Sequence, residues 1–287
     1  MTKRPGPSVR RRQLGQMLRK LRTDANVHRR DAAEWLGVTE QNMSRIEVGK
    51  SSIKDQTVRS LCQLYDVEAN DLEVMLRLAR ESTQRGWWSA YRDTLPDWAR
   101  QLVGQEADAQ HFWSYEPEIV PGLLQTTDYV AAINRILYPD MSDTQIARQQ
   151  ELRRERQQRL NEDDPPELHF YLNEAVIRRV IGNREVMADQ LDYLAQVSRF
   201  NHVEIRVVPF EAGGHAAMSS SFVLIQLPEE DGPAFAYVEH DRGATYQENP
   251  ADIDRYTVIV DLLDKTGLNE ADSRALIEQA TKQLRSE

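Results

Sequence analysis

Cysteine is almost missing. Cys62 stands alone in 287 residues, which excludes an internal disulfide framework and any zinc site built from several cysteines. Long apolar runs are absent too. Hydrophobic residues make up 40% of the chain and charged residues 29%, and no apolar stretch approaches the ~20 residues a membrane helix needs. The basic opening stretch MTKRPGPSVRRRQ lacks the apolar segment of a secretory signal. Catalytic and cofactor signatures are missing as well. There is no phosphate-cradling Gly-Lys loop, no Gly-x-Gly-x-x-Gly and no Gly-x-Ser-x-Gly elbow. The expectation is a cytoplasmic protein with no membrane span, no cofactor, no metal and no enzymatic activity.

Positive charge is scarce overall, with a net of −10, but it is unevenly placed. Residues 1–60 hold 14 lysines and arginines against 6 aspartates and glutamates, a net of +8, so the remainder carries −18. A basic head on an acidic body predicts phosphate contact at one end only, with the body repelling nucleic acid and favouring one orientation of approach.

What is present in that head is a compact motif, DAAEWLGVTEQNMSRIEVGK, from Asp31 to Lys50. A helix over roughly residues 29–36 puts small Ala33 where a second helix crosses. Gly37 follows at the position after a helix end, where positive φ is least costly. Val38 plugs the angle between the helices, and Thr39 is a good N-cap for the next one. Met43 and Ile46, three apart, face the core. Glu40, Gln41, Asn42, Ser44 and Arg45 are left outward at the exposed start of the second helix, where side chains read base edges in a major groove. By donor and acceptor rules Arg45 prefers guanine, Gln41 or Asn42 adenine, and Glu40 the cytosine amino group. Arg29, Arg30, Thr39 and Lys50 are the expected phosphate contacts.

These residues resemble the Cro/repressor-type (XRE) helix-turn-helix family from about Leu14 to Val67. Ala33, Gly37-Val38-Thr39, Met43, Ile46-Glu47 and Gly49-Lys50 carry the likeness. The resemblance implies that Arg22 of the first helix pairs with Glu47, an exposed pair contributing under ~1 kcal/mol. Ala32 stands where the family more often has Leu, so Trp35 is expected to fill that corner. A single helix-turn-helix buries too little surface for high specificity, so a dimer on a near-palindromic operator of double-stranded DNA is expected.

Around the motif, residues 1–7 read as a flexible arm, and Lys3, Arg4 and the Arg10–Arg12 run as further phosphate or minor-groove contacts. Leu14, Met17, Leu18 and Leu21 predict a first helix ending near Thr23. Helices carrying Val58, Leu61, Cys62 and Leu64, then Leu72, Met75, Leu76 and Ala79, complete an all-α domain of five helices over residues 1–80. Cys62, within an apolar pattern, reads as a buried structural thiol. Residues 81–86 mark the first break in composition.

Residues 81–140 read as a helical, aromatic-rich connector and the start of the second domain, with four of the five tryptophans at 87, 88, 98 and 113. Helical spacing of Trp98, Leu102 and Val103, and of Tyr129 and Ile133, makes core packing the expected use of these aromatics. Tyr115-Glu116, the run from Val120 to Thr126 and Asp128-Tyr129 resemble the second domain of a large group of actinobacterial regulators of the same family, often described as antitoxin-like. That resemblance reaches nearly to the C-terminus and implies a small partner protein.

Residues 141–287 read as a larger α+β domain with a small β-sheet, serving effector binding, partner binding or dimerisation. A charged helix spans residues 141–160, its arginines at 148, 153, 154, 156 and 159 expected on a solvated face. Strands are predicted at 168–172, 203–208, 221–227 and 234–239, with a turn at 228–233, and helices at 185–200, from 249 or 252, and at 272–284. His215, Glu239 and His240 are the candidate effector pocket; their spacing matches no metal motif. The expected function is a dimeric, sequence-specific transcriptional repressor governed by a small molecule or small partner protein. Its rivals are an interaction module that no longer binds DNA, and a DNA-targeted enzyme with its chemistry in residues 130–287.

Overall fold

The computed structural model describes residues 7–49, 51, 53–82, 87–228 and 234–286. Contacts divide the chain into two compact units, Met1–Ala90 and Tyr91–Glu287. The expected arm (Lys3, Arg4), Lys50, most of the 81–86 break and the turn at residues 229–233 lie outside the described residues.

In the first unit, here the head, five helices are described: α1 (Pro7–Asp24), α2 (Arg29–Leu36), α3 (Glu40–Glu47), α4 (Asp55–Leu64) and α5 (Ala69–Ser82). One core holds them, with Leu14, Leu18, Ala33, Met43, Leu61 and Met75 almost fully buried. The crossing of α1 over the end of α3 requires Gly15, since a Cβ there would come within 2.6 Å of the Ile46 carbonyl oxygen. Trp35 does not fill the Ala32 corner. Ala32 is itself fully buried, while Trp35 is 51% exposed and donates its indole N–H to Ser60 Oγ at 2.9 Å. A small residue lets the backbones approach, so no bulky substitute is needed. The Arg10–Arg12 run is also turned partly inward. Arg10 is buried, and Arg11 Nη2 donates to the Ser82 carbonyl at the end of α5, where a helix favours a cation.

The second unit, the body, is α+β. Its elements are α6 (Asp97–Glu106), β1 (His111–Glu116), α7 (Thr127–Leu137), α8 (Asp143–Gln157), β2 (Glu167–Asn173), α9 (Glu174–Arg178), α10 (Arg184–Val197), β3 (Val203–Val208), β4 (Phe222–Gln226), β5 (Ala234–His240), β6 (Gly243–Gln247), α11 (Pro250–Thr266) and α12 (Glu270–Ser286). The six strands form one sheet in the order β3-β2-β1-β4-β5-β6. Strands β1, β2 and β3 run parallel, and β4, β5 and β6 continue antiparallel.

The sheet's centre lies inside the expected connector. Strand β1 pairs with β2 on one side and β4 on the other, so this stretch, expected to be helical where it opens the second domain, holds a strand instead. A central strand is covered on both faces and shows no alternation of apolar and polar residues. Its sequence, HFWSYE, reads instead as more of the aromatic-rich stretch. One face of the sheet, with Tyr115, Tyr171, Phe222 and Leu224, packs on Ile259, Val260 and Leu263 of α11. The other, with Phe112, Ser114 and Phe170, faces α6 and α8. The outer edge of β3 is covered: Val207 N–H donates to Ser273 Oγ at 2.9 Å, and its carbonyl accepts from Leu268 N–H. At Val207 the edge has no backbone group left to pair with a further strand.

Candidate nucleic-acid interface

The interface is built where α2 hands over to α3. Gly37 takes φ 66° and ψ 33°, and Val38 N–H returns to the Ala33 carbonyl at 2.9 Å, closing the first helix. A non-glycine residue pays conformational strain in this region. Thr39 is extended and its hydroxyl oxygen accepts from Asn42 N–H at 3.2 Å. That arrangement leaves the hydroxyl proton available to donate outward. Met43, Ile46 and Glu47 are buried, which fixes the rotation of α3. Glu40, Gln41, Asn42 and Arg45 are thereby exposed and Ser44 half-exposed. The first turn of α3 presents free backbone N–H groups in the same direction, suited to an anion.

A carboxylate locks the three helices together. Glu47, only 1% exposed, accepts from Arg22 at 2.5 and 3.3 Å and from Arg29 Nε at 3.2 Å. Arg22 also donates to the Val27 carbonyl at 2.9 Å, and its bond to Glu47 holds its pKa above the ordinary guanidinium value. The expected Arg22–Glu47 pair is therefore buried rather than exposed, so removing one partner would leave the other charge desolvated. Arg29, one of the expected phosphate contacts, gives its Nε to this cluster and stays 36% exposed. Arg30 is 79% exposed beside Asp31. Cys62 is buried against Met75, and burial pushes its thiol up to about 11, as befits an inert core residue.

The three residues of the expected effector pocket are not brought together. His215 stands against Tyr115, with Nε2 3.4 Å from the phenol oxygen, on the sheet face that packs on α11. Glu239 borders a cavity on the opposite face and accepts from the Trp98 indole at 3.3 Å. His240 is exposed at the end of β5, opposite Gly243 in a tight hairpin to β6. Period-2 alternation along β5 separates Glu239 from His240, and His215 belongs to a segment on the other face of the sheet.

The charged helix α8 and the short 3-10 turn that follows it, Gln158–Asn161, also depart from expectation. Arg156 and Arg159 are buried. Arg156 makes paired hydrogen bonds of 2.8 and 2.6 Å with Glu106, and Arg159 donates to the Ala109 carbonyl at 2.7 Å. With few apolar residues, this helix packs through its arginine stems and their pairing. Among the tryptophans, Trp113 stacks between His111 and His169, with ring centroids 5.6 and 5.7 Å away.

Two family models match the chain. One is described as a helix-turn-helix domain and covers residues 13–75, from within α1 to within α5. The other is described as Domain of unknown function (DUF5753) and covers residues 99–279, more than half the chain. No curated protein sequence matches it. Among the described residues no helix is long and apolar enough to cross a membrane, and no cluster of three metal-ligating side chains occurs.

Proposed function

The chain belongs to the DUF5753 family and carries a helix-turn-helix domain ahead of that body, and we propose that it is a dimeric, sequence-specific transcriptional repressor. The head binds double-stranded DNA and the body pairs two copies and receives a small molecule or small partner protein. The observation that carries this reading is the exposed start of α3, held in place by the buried Met43, Ile46 and Glu47. Arg45 reads guanine, Gln41 or Asn42 reads adenine, Glu40 accepts from cytosine, and Ser44 adds a contact to either. Arg29, Arg30, Thr39 and Lys50 hold the phosphates. Two heads about one helical turn apart, roughly 34 Å, match a near-palindromic site. The repressor acts in the cytoplasm on the nucleoid, and the reading assigns it no reaction, cofactor or metal.

The test is binding of the full chain to its own upstream promoter DNA across a salt series, with footprinting. A steep salt slope and two protected half-sites one turn apart are expected. Equal affinity for that DNA and for unrelated sequences would sink the reading and favour the interaction-module alternative.

A further inference from the structure

Between the sheet and helices α6 and α8 lies a cavity of about 140 Å³, bordered by Glu106, Glu116, Arg153, Arg156 and Glu239. Its charges are unevenly satisfied. Arg156 and Glu106 satisfy each other through their paired hydrogen bonds. Arg153 gives only its Nε, to Gln125 Oε1 at 3.2 Å, and its two terminal amino groups meet no acceptor among the described residues. Glu239 takes the Trp98 indole N–H. Neither Glu239 nor Glu116 forms an ion pair among the described residues, although both border the cavity. A guanidinium with two amino groups free to donate and two carboxyl groups outside any close ion pair thus share one small volume, within the field of Glu106 and Arg156.

Arg153 and Glu116 are half-buried and Glu239 is exposed, so the cavity opens to water and a ligand of matching charges can enter and make charge-assisted hydrogen bonds there. We propose that the cavity is a binding site for a small zwitterion of the amino-acid class, its carboxylate on Arg153 and its ammonium between Glu116 and Glu239. The size agrees. An engineered protein cavity of ~150 Å³ holds benzene, so an occupant of about six to ten non-hydrogen atoms fits here. Phe112 and Phe170, whose rings lie 5.8 Å apart on the sheet, offer an apolar wall for its side chain. The titration behaviour points the same way. Burial, then the nearby Glu239, pushes the Glu116 carboxyl up to about 8. Burial, then Arg156, lowers Arg153 to about 10. An ammonium beside Glu116 and a carboxylate on Arg153 would relieve both, so binding near neutral pH releases a proton from Glu116.

This inference rests on the body being the controlling unit and names the class of molecule that controls it. The test is calorimetric and thermal-shift titration of the full chain with the proteinogenic amino acids. Matched carboxylic acids without the amino group and amines without the carboxylate serve as controls. At least one amino acid should bind and raise Tm, and analogues lacking either group should bind at least about tenfold more weakly. Arg153→Gln should weaken binding by about tenfold or more, and Glu116→Gln should abolish the proton release seen when buffers of different ionisation enthalpy are compared. Three results would each overturn the proposal: no binding to the unaltered chain by any member of the panel, equal binding of the one-group analogues, or Arg153→Gln binding as tightly. Ligand binding in a chain that does not bind its promoter would leave the cavity assignment standing and remove the regulator reading instead.

Discussion

In the head, the Glu47 carboxylate takes hydrogen bonds from both Arg22 and Arg29, whereas in the body Glu106 is held by Arg156 alone and Arg153 lines the same cavity without a carboxylate. The first cluster is closed: its acceptor is fully used and joins α1, α2 and α3. It sets the angle at which α3 is offered, and Arg29 reaches outward from it. The second is open, with donors and acceptors left over around a cavity that reaches solvent. The same residue types therefore do two jobs. Where every charge has a partner the cluster fixes geometry, and where some do not it favours a ligand.

That contrast can be broken experimentally, and the largest effect is expected in the body. Glu106→Gln leaves the buried Arg156 guanidinium without its carboxylate and should destabilise the body by ~3–5 kcal/mol, read as a drop in its unfolding midpoint. Glu47→Gln should cost less, about 2 kcal/mol, because Arg29 is 36% exposed and can be resolvated, and Arg22 keeps its bond to the Val27 carbonyl. If the head lost as much as the body, the two clusters would be energetically alike and the distinction would fail. Arg45→Ala leaves both clusters intact and should cost ~1–3 kcal/mol in DNA affinity while relaxing choice at one base position, measured by binding to single-base operator variants.

The open cluster also makes a pH prediction. The Glu116 carboxyl is raised from 4.5 to about 8 in the folded body, so between these values the folded state holds more protons than the unfolded one. Its contribution to stability is complete below about 4.5 and is lost as pH rises through about 8. Thermal unfolding of the body should show this decline, and Glu116→Gln should flatten it. A decline of equal size in the variant would assign the pH dependence to another group. The smallest effect belongs to Arg30→Ala, at the exposed rim of the head. It should weaken all DNA sequences alike, by on the order of 1 kcal/mol, and reduce the salt slope by about one.

Much of the head is legible in the sequence because its helices are short and amphipathic and its turn is chemically specified. Gly37, Thr39, Met43 and Ile46 declare their roles by type and spacing, and helical geometry then leaves Glu40, Gln41, Asn42 and Arg45 outward. Strands β3 and β5 are legible for a similar reason, through short β-prone runs bounded by turns. Strand β1 is not, because a central strand buried on both faces loses the alternation that marks a strand. The short strand β6 carries too few apolar residues to show any pattern, and its absence from the sequence reading grouped Glu239 with His240 on what is a hairpin.

The sequence by itself determined the division into a basic head and an acidic body, the helix-turn-helix and the side chains it offers to DNA. These follow from local periodicity and charge, which involve neighbours in the chain. Only the tertiary structure decided which charges are paired. Glu106 meets Arg156 across 50 residues, and Glu116 and Glu239 come to one cavity from different strands. Arginines that read as a solvated face turn inward because distant carboxyl groups and carbonyls receive them. Pairing of that kind depends on how the layers close over each other, and no local pattern encodes it.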